Sequence, residues 1–472
     1  MKNMTCLAVA LMIFLPVLFA QKDGYEIKIE VKGLKEGDKC ILGNYFGDKQ
    51  LVQDTAFADK RGRLVFSGDE KKPGGIYFIV LPQRQFFEIL LDEDQHFTIK
   101  TDIDDLLHAM KVKNSKDNKL FYEYQKFISN MQKKVEGINK KRESQAEGSR
   151  EYESLISEIH TINEKVKDYK NNIIENHPDF LLSKILLATK DIEIPDMPLL
   201  PDGTKDSLFP YRYYKENYFR YFDFSDERLL RTPVFHRRLD NYVKNVLMQV
   251  SDTIINVAEK LIERTDGNRE TFKYLVWYFT NYGERSNIMG MDAVFVHMAE
   301  QYYLSNKAFW VGPEQLKSIA DRVRVLKPLL IGSVAPNITV VDSVNRAYSL
   351  HDVQAKYTVL YIWSTDCGHC KRMTPILKDF YLENRDKGLE VFALCTETDL
   401  DEWKRKVRKN NVDWINVWDP LNRSNYRDLY DVYSTPILYL LDEEKRIIAK
   451  RIDAEQLKGF LERMMSEELD YN

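Results

Sequence analysis

Cysteine is scarce in this chain, with five among 472 residues. So few thiols exclude the disulfide framework that holds small secreted domains together. Positive charge is not in surplus either, since 69 Lys and Arg against 73 Asp and Glu leave a formal net charge of -4. That balance excludes the broad basic field that grips polyanions, and no nucleic-acid partner is expected. Long apolar runs are missing beyond the first twenty residues, and a membrane-crossing helix needs about 20 in a row. What is present can fill cores. A hydrophobic content of 44% with 12% aromatics suits a mostly folded chain, and the length leaves room for about three domains.

The first residues, MKNMTCLAVALMIFLPVLFA, place Lys2 ahead of an apolar stretch from Cys6 to Ala20. A stretch of about 15 residues is short for a bilayer span and suits a secretory leader, the competing reading being an uncleaved anchor. It predicts a signal peptide over 1–20 cut after Ala20, an exported mature chain starting at Gln21, and no stable membrane insertion after cleavage. No cysteine follows the cut, so a lipid anchor is not expected. Cys6 leaves with the leader, and Cys40, Cys367, Cys370 and Cys395 remain.

Three stretches follow. Residues 21–112 read as strands: EIKIEV alternates apolar and charged residues, and RLVFSG, IYFIVL, FFEILL and FTIKTD follow with glycine-rich turns between them. An all-β antiparallel sandwich or barrel is expected there, with Cys40 as a small buried hydrophobe. Residues 113–328 read as an all-α domain. LFYEYQKFISNMQKKVEGINKKR and YESLISEIHTINEKVKDYKNNII carry apolar residues at three- and four-residue steps. The aromatic crowding in YRYYKENYFRYFDF, FKYLVWYFTNY and FVHMAEQYYL suits packing between helices. His297 and Glu300 share a helix face but lack further ligands, so no metal is assigned. Residues 329–472 alternate strands and helices, TVLYIW and PILYLLD among the strands and CKRMTPILKDFYLEN, NYRDLYDVY and AEQLKGFLERMMSEE among the helices. That order favours an α/β layer.

Two of the remaining thiols stand three positions apart in YIWSTDCGHCKRMTP. A structural zinc site needs four ligands, and no second such pair exists. Haem attachment needs His directly after the second cysteine, where Lys371 stands. A redox couple needs only what is here. TVLYIW reads as a buried strand ending at Trp363, and the chain then turns into a helix that starts at Cys367. Unpaired N–H groups and the positive end of the helix dipole stabilise a thiolate at that position. Cys370, one turn on, is the partner for attack. Cys367 is therefore expected to be the nucleophile and Cys370 the resolving thiol of disulfide exchange. Within the Gly368-His369 dipeptide, the imidazole can donate a hydrogen bond to the thiolate and make the couple more oxidising. Cys395 reads as a buried packing residue.

GSVAPNITVVD, TVLYIWSTDCGHCKRMTP and VYSTPILYLLD, in that order, resemble the opening strand, active site and cis-proline segment of thioredoxin-fold proteins. Within that superfamily they most resemble the exported thiol-disulfide oxidoreductases of the TlpA/ResA type. The resemblance covers about the last third of the chain. It implies a C-terminal α/β thioredoxin-like domain that needs no cofactor, with Cys367 attacking and Cys370 resolving. Trp363 matches the aromatic beneath the active-site loop and Pro375 the proline within the active-site helix. Pro436 matches the proline whose cis peptide faces the disulfide, leaving the Thr435 backbone free to pair with an extended substrate. Departures from the family pattern are Tyr361 at the place of a buried aspartate, Met373 at that of a glutamate, Asp366 at that of a tryptophan, and Lys445 at that of a hairpin glycine. The proton shuttle is therefore unassigned.

The whole layout is similar to multi-domain envelope proteins of Gram-negative anaerobes, which implies a periplasmic or cell-envelope location. The expected function is thiol-disulfide exchange with cysteine-containing exported proteins, by reduction or isomerisation, recharged by an unidentified membrane or periplasmic thiol donor. The alternative is an envelope binding protein whose last domain is a redox-controlled docking module. Peroxide reduction is disfavoured, because the Pro-x-x-x-Thr-x-x-Cys arrangement is absent around Cys367.

Overall fold

A computed structural model describes residues 24–470, with side chains to residue 464. The expected leader, its cut after Ala20 and Cys6 lie outside those residues. The chain divides into two compact units, Met1–Asp240 and Asn241–Asn472.

The first unit begins β-rich. In β1 (Tyr25–Lys32) the alternation in the sequence becomes alternation in space, with Ile27, Ile29 and Val31 buried and Lys28 and Lys32 exposed. The strands that follow are β2 (Lys39–Phe46), β3 (Lys49–Phe57), β4 (Arg63–Gly68), β5 (Gly75–Val80), β6 (Phe86–Leu91), β7 (His96–Asp102) and β8 (Lys111–Lys113). They form two four-stranded sheets, ordered β4-β1-β7-β8 and β3-β2-β5-β6. Ile27, Phe66 and Phe97 of one and Leu42, Ile79 and Ile89 of the other share one core. The expected all-antiparallel pairing is broken once, because β1 and β7 run parallel. A parallel pair needs a long crossover, and here the chain between the two strands supplies β4 and the whole second sheet.

Helices α1 (Lys116–Arg142), α2 (Arg150–Asn176) and α3 (Leu181–Ala188) then add Phe121, Ile173 and Leu182 to that core. Asn118 ties α1 to β6 through both its amide groups, 2.8 Å from Leu90 N–H and 2.7 Å from Leu90 C=O. Beyond α4 (Phe209–Asn217), and reaching into α5 (Pro233–Asn241), the aromatic crowding becomes packing. Phe219, Phe222, Phe224 and Phe235 are buried, Phe222 lying edge-on to Phe235 at 5.2 Å and Phe219 to Phe224 at 5.0 Å.

The second unit starts with α6 (Ser251–Glu263), α7 (Arg269–Arg285), α8 (Asp292–Met298) and α9 (Pro313–Leu326). Gly283 lets α7 and α8 approach closely, since a Cβ there would lie 2.4 Å from the Phe295 backbone nitrogen. His297 meets Glu259 at 2.9 Å and Glu300 pairs with Lys327 at 2.7 Å, so the two residues face different partners.

A seven-stranded sheet follows, ordered β10-β9-β13-β12-β11-β14-β15. Its strands are β9 (Thr339–Val341), β10 (Ala347–Ser349), β11 (Tyr357–Trp363), β12 (Leu389–Cys395), β13 (Ile415–Trp418), β14 (Ile437–Leu441) and β15 (Ile447–Lys450). Among them run α10 (Gly368–Asn384), α11 (Leu400–Asn410), α12 (Tyr426–Leu429) and α13 (Ala454–Asp470). β11 pairs in parallel with β12 and antiparallel with β14. All seven of its residues are buried, Val359, Tyr361 and Trp363 in the core on one face and Leu360 and Ile362 in the core on the other. A strand covered on both faces is the fixed platform from which the next loop departs.

One expected helix is cut short. NYRDLYDVY holds only the single turn of α12, because Asn425 and Asp431 on either side adopt φ of 55° and 53°. The buried Asp431 carboxylate is drawn out of helical register by Arg322 on α9 and by Arg451, just past β15. Among the described residues no helix is long and apolar enough to cross a membrane.

Candidate active site

At the end of β11 the chain leaves the sheet. The Trp363 carbonyl accepts Thr396 N–H at 2.8 Å, and the buried Thr365 hydroxyl donates to Glu397 Oε2 at 2.7 Å. That hydrogen bond, above all, holds the Glu397 carboxyl below its ordinary range, so a carboxylate anchors the turn. Neither Thr365 nor Glu397 is marked by any motif. They are 32 positions apart, and only the parallel pairing of β11 with β12 brings them together.

Cys367 is the N-cap of α10, with extended backbone at φ -69° and ψ 118°, and its sulfur accepts the Cys370 N–H at 3.2 Å. A sulfur in this place takes the role usually played by a serine or aspartate oxygen. Its thiol is directed at the Thr435 carbonyl, 3.1 Å away. Burial opposes ionisation of Cys367. Hydrogen bonds from the Cys370 thiol and N–H, the Thr435 side chain and the His369 N–H outweigh it and hold the thiol below its ordinary value. Cys370 is 1% exposed. Burial, then its hydrogen bond to Cys367, pushes its thiol up to about 12. Both are free thiols here. The pair is therefore unequal, one sulfur accessible and inclined to ionise, the other enclosed and protonated.

The other expected site residues fall around this pair. Trp363 is buried and stacks on Tyr361 at 6.3 Å, both in the core that holds Cys370. Its indole Nε1 has no partner. Tyr361 bonds the Thr374 hydroxyl at 3.0 Å, and Thr374 donates to the Cys370 carbonyl at 2.8 Å. Burial keeps the phenol far from ionisation, so a neutral hydroxyl stands beside Cys370 at the place of the family's carboxylate. Pro375 lies inside α10, and the Thr435–Pro436 peptide is cis. Gly368 is exposed, and a Cβ placed on it would meet nothing within 4 Å, so its lack of a side chain is not sterically required. His369 is exposed and lines a cleft beside the reactive turn. Asp366 is exposed. Lys445 takes a φ of 62° in its hairpin, the conformation that favours glycine.

Cys40 and Cys395 are fully buried, and burial pushes their thiols up to about 11 and about 12. Beside the reactive turn lies a cleft of about 670 Å³ lined by His369, Met373, Tyr433, Ser434, Pro436 and Gln456 among others. Met373 thus contributes an apolar wall rather than a charge.

Comparison with known proteins covers the chain in three pieces. The model of the "AhpC/TSA family" matches residues 331–450, "Domain of unknown function (DUF4369)" matches 25–121 and "Domain of unknown function (DUF5106)" matches 150–327. The chain is 30% identical over 140 residues to a thiol-disulfide oxidoreductase ResA of Bacillus cereus, covering 28% of this chain and 78% of that protein. A solved domain of a possible thiol-disulfide isomerase from Cytophaga hutchinsonii is 43% identical, covering 31% of this chain and 99% of that one, with a TM-score of 0.29. A thioredoxin-like protein from Bacteroides caccae is 21% identical, covering 57% and 99%, with a TM-score of 0.45.

Proposed function

The chain belongs, through its C-terminal domain, to the TlpA/ResA-like thioredoxin-fold thiol-disulfide oxidoreductases, and on that premise we propose that it exchanges a Cys367–Cys370 dithiol with disulfides of exported proteins. The observation that carries the reading is the inequality of two thiols within one helical turn.

As a reductase, the Cys367 thiolate attacks one sulfur of a client disulfide. A mixed disulfide forms, and the other client sulfur leaves with the electron pair and takes up a proton. Cys370 then gives up its proton and attacks the Cys367 sulfur, which closes the Cys367–Cys370 bond and releases the second client thiol. Two electrons and two protons have passed to the client, and an external dithiol must return them. As an isomerase, the mixed disulfide is instead attacked by another client thiol. The Thr435 carbonyl accepts from Cys367 in the dithiol. Once that thiol has lost its proton, the carbonyl is free to bond the backbone of an extended client.

The tyrosine beside Cys370 supports a slow proton transfer at the resolving step, because a neutral phenol is a poor base. The apolar leader supports export to the periplasm or cell envelope, with a thiol donor in the same compartment. We assign client selection to residues 21–112 and 113–328.

Insulin reduction in the presence of dithiothreitol tests this. Cys367→Ala is expected to abolish turnover, and Cys370→Ala to stall at the mixed disulfide. Wild-type rates in both variants would remove the exchange reading and leave a docking module.

A further inference from the structure

A second cleft, of about 760 Å³, opens on the helical part of the same unit. Thr280 and Glu284 on α7, Phe295 on α8 and Lys317, Ser318 and Ile319 on α9 line it. It takes in Asp428 and Tyr433 from the segment that leads to the cis proline, and Tyr433 also lines the cleft beside Cys367. Tyr433 is 86% exposed, the largest exposure among the large hydrophobic residues described. An aromatic ring left in water between two clefts is a surface that a ligand spanning both would cover.

The two clefts are also fastened to each other. Asp431 has a side chain 1% exposed, and its carboxylate accepts Arg322 Nη1 at 2.6 Å and, with its other oxygen, Arg451. Arg322 belongs to the wall of the helical cleft and Arg451 to that of the reactive cleft. One buried anion therefore clamps a residue from each wall, and the segment carrying Tyr433 runs on from the clamp. Such a clamp holds the clefts in fixed register rather than leaving them to slide.

We propose that the two clefts form one track for the client polypeptide, in which the helical cleft binds chain flanking the reacting cysteine. This rests on the exchange reading above and gives a role to residues 280–325, which fall within the match of unknown function. The occupant is an extended polypeptide because the reactive cleft is walled by His369, two residues past the sulfur under attack, and by Pro436, next to the Thr435 carbonyl that the Cys367 thiol meets. The track's second half mixes half-buried apolar residues (Ile319, Val325) with both signs of charge (Glu284, Lys317). Walls of that composition suit varied side chains rather than one small molecule.

The test uses the full chain carrying Cys370→Ala. A twenty-residue peptide with one cysteine, activated as its 2-thiopyridyl disulfide, is the probe, and glutathione activated in the same way is the short control. Extended, the peptide reaches about 70 Å, long enough to follow the track. The Cys367 thiolate attacks the probe sulfur, and thiopyridone leaves with the electron pair and takes up a proton. Peptide mapping locates the adduct on Cys367, and hydrogen exchange of α9 and of residues 428–434 is then compared between the two adducts. The peptide adduct is expected to slow exchange there about ten-fold while the glutathione adduct leaves it unchanged. Equal exchange in the two adducts, slowed or not, overturns the track and leaves the exchange chemistry standing. Failure of any adduct to form at Cys367 overturns the exchange reading itself, and the track with it.

Discussion

Replacing Cys370 by alanine should make Cys367 less reactive, even though Cys370 is not the attacking sulfur. In the dithiol, Cys367 receives three kinds of donor, backbone N–H groups at the start of α10, the Thr435 side chain and the Cys370 thiol. The substitution keeps the first two and removes the third. A hydrogen bond to a charged group contributes about 1.5–3 kcal/mol, and a weak S–H donor at a half-buried site about 1 kcal/mol. That loss lowers the thiolate population at neutral pH about five-fold. The assay is the iodoacetamide rate constant of Cys367 from pH 5 to 9, with the product located by peptide mapping. Cys40 and Cys395 do not interfere, since both are fully buried and their thiols are pushed up to about 11 and about 12. The rate should fall about five-fold and yet stay above that of free cysteine, because the backbone donors remain. Cys370→Ser keeps a donor and should recover most of the loss. A rate in Cys370→Ala equal to or above wild type refutes the idea that the second thiol tunes the first.

Asp117 in the first unit is buried with an unpartnered Oδ1, and burial, then Asp92 and Asp94, raises its carboxyl from 3.8 to about 6. The folded state thus holds its proton longer than the unfolded chain. Stability is lost as pH rises from about 4 to about 6 and is flat above, so Asp117→Asn should gain about 2 kcal/mol at pH 7.5 and nothing below pH 4. Urea unfolding of the two proteins at both pH values checks this. Lys450 on β15 bonds Asp292 on α8 and the Leu329 carbonyl, with its side chain 6% exposed. Lys450→Met should cost about 2 kcal/mol by leaving Asp292 unpaired, and Lys450→Met/Asp292→Leu should recover most of it in thermal unfolding.

The parts of the site that are legible in the sequence are those built by neighbours in the chain. A strand that is apolar but for Thr358, a polar turn and a helix opening on Cys367 follow one another without interruption, and Thr435-Pro436 precedes the next buried strand. The parts that are not legible depend on pairing across the sheet or between helix and loop. Thr365 meets Glu397 only because β11 and β12 are parallel, and Asp431 leaves the helix that its sequence suggests because Arg322 and Arg451 hold it. Residue type draws attention to the His369 imidazole, whereas the capping bond to Cys367 comes from the Cys370 amide. The parallel β1–β7 pair is hidden for a similar reason, since alternation marks a strand but not its partner's direction.

The central claim is that Cys367 and Cys370 form one reversible couple. The reduced chain is treated with oxidised glutathione, quenched in acid and mapped by mass spectrometry. The account predicts loss of two hydrogens with Cys367 joined to Cys370, and full return to the dithiol on adding dithiothreitol. A lasting glutathione adduct on Cys367 with Cys370 still free, or a bond that involves Cys395 instead, would contradict it.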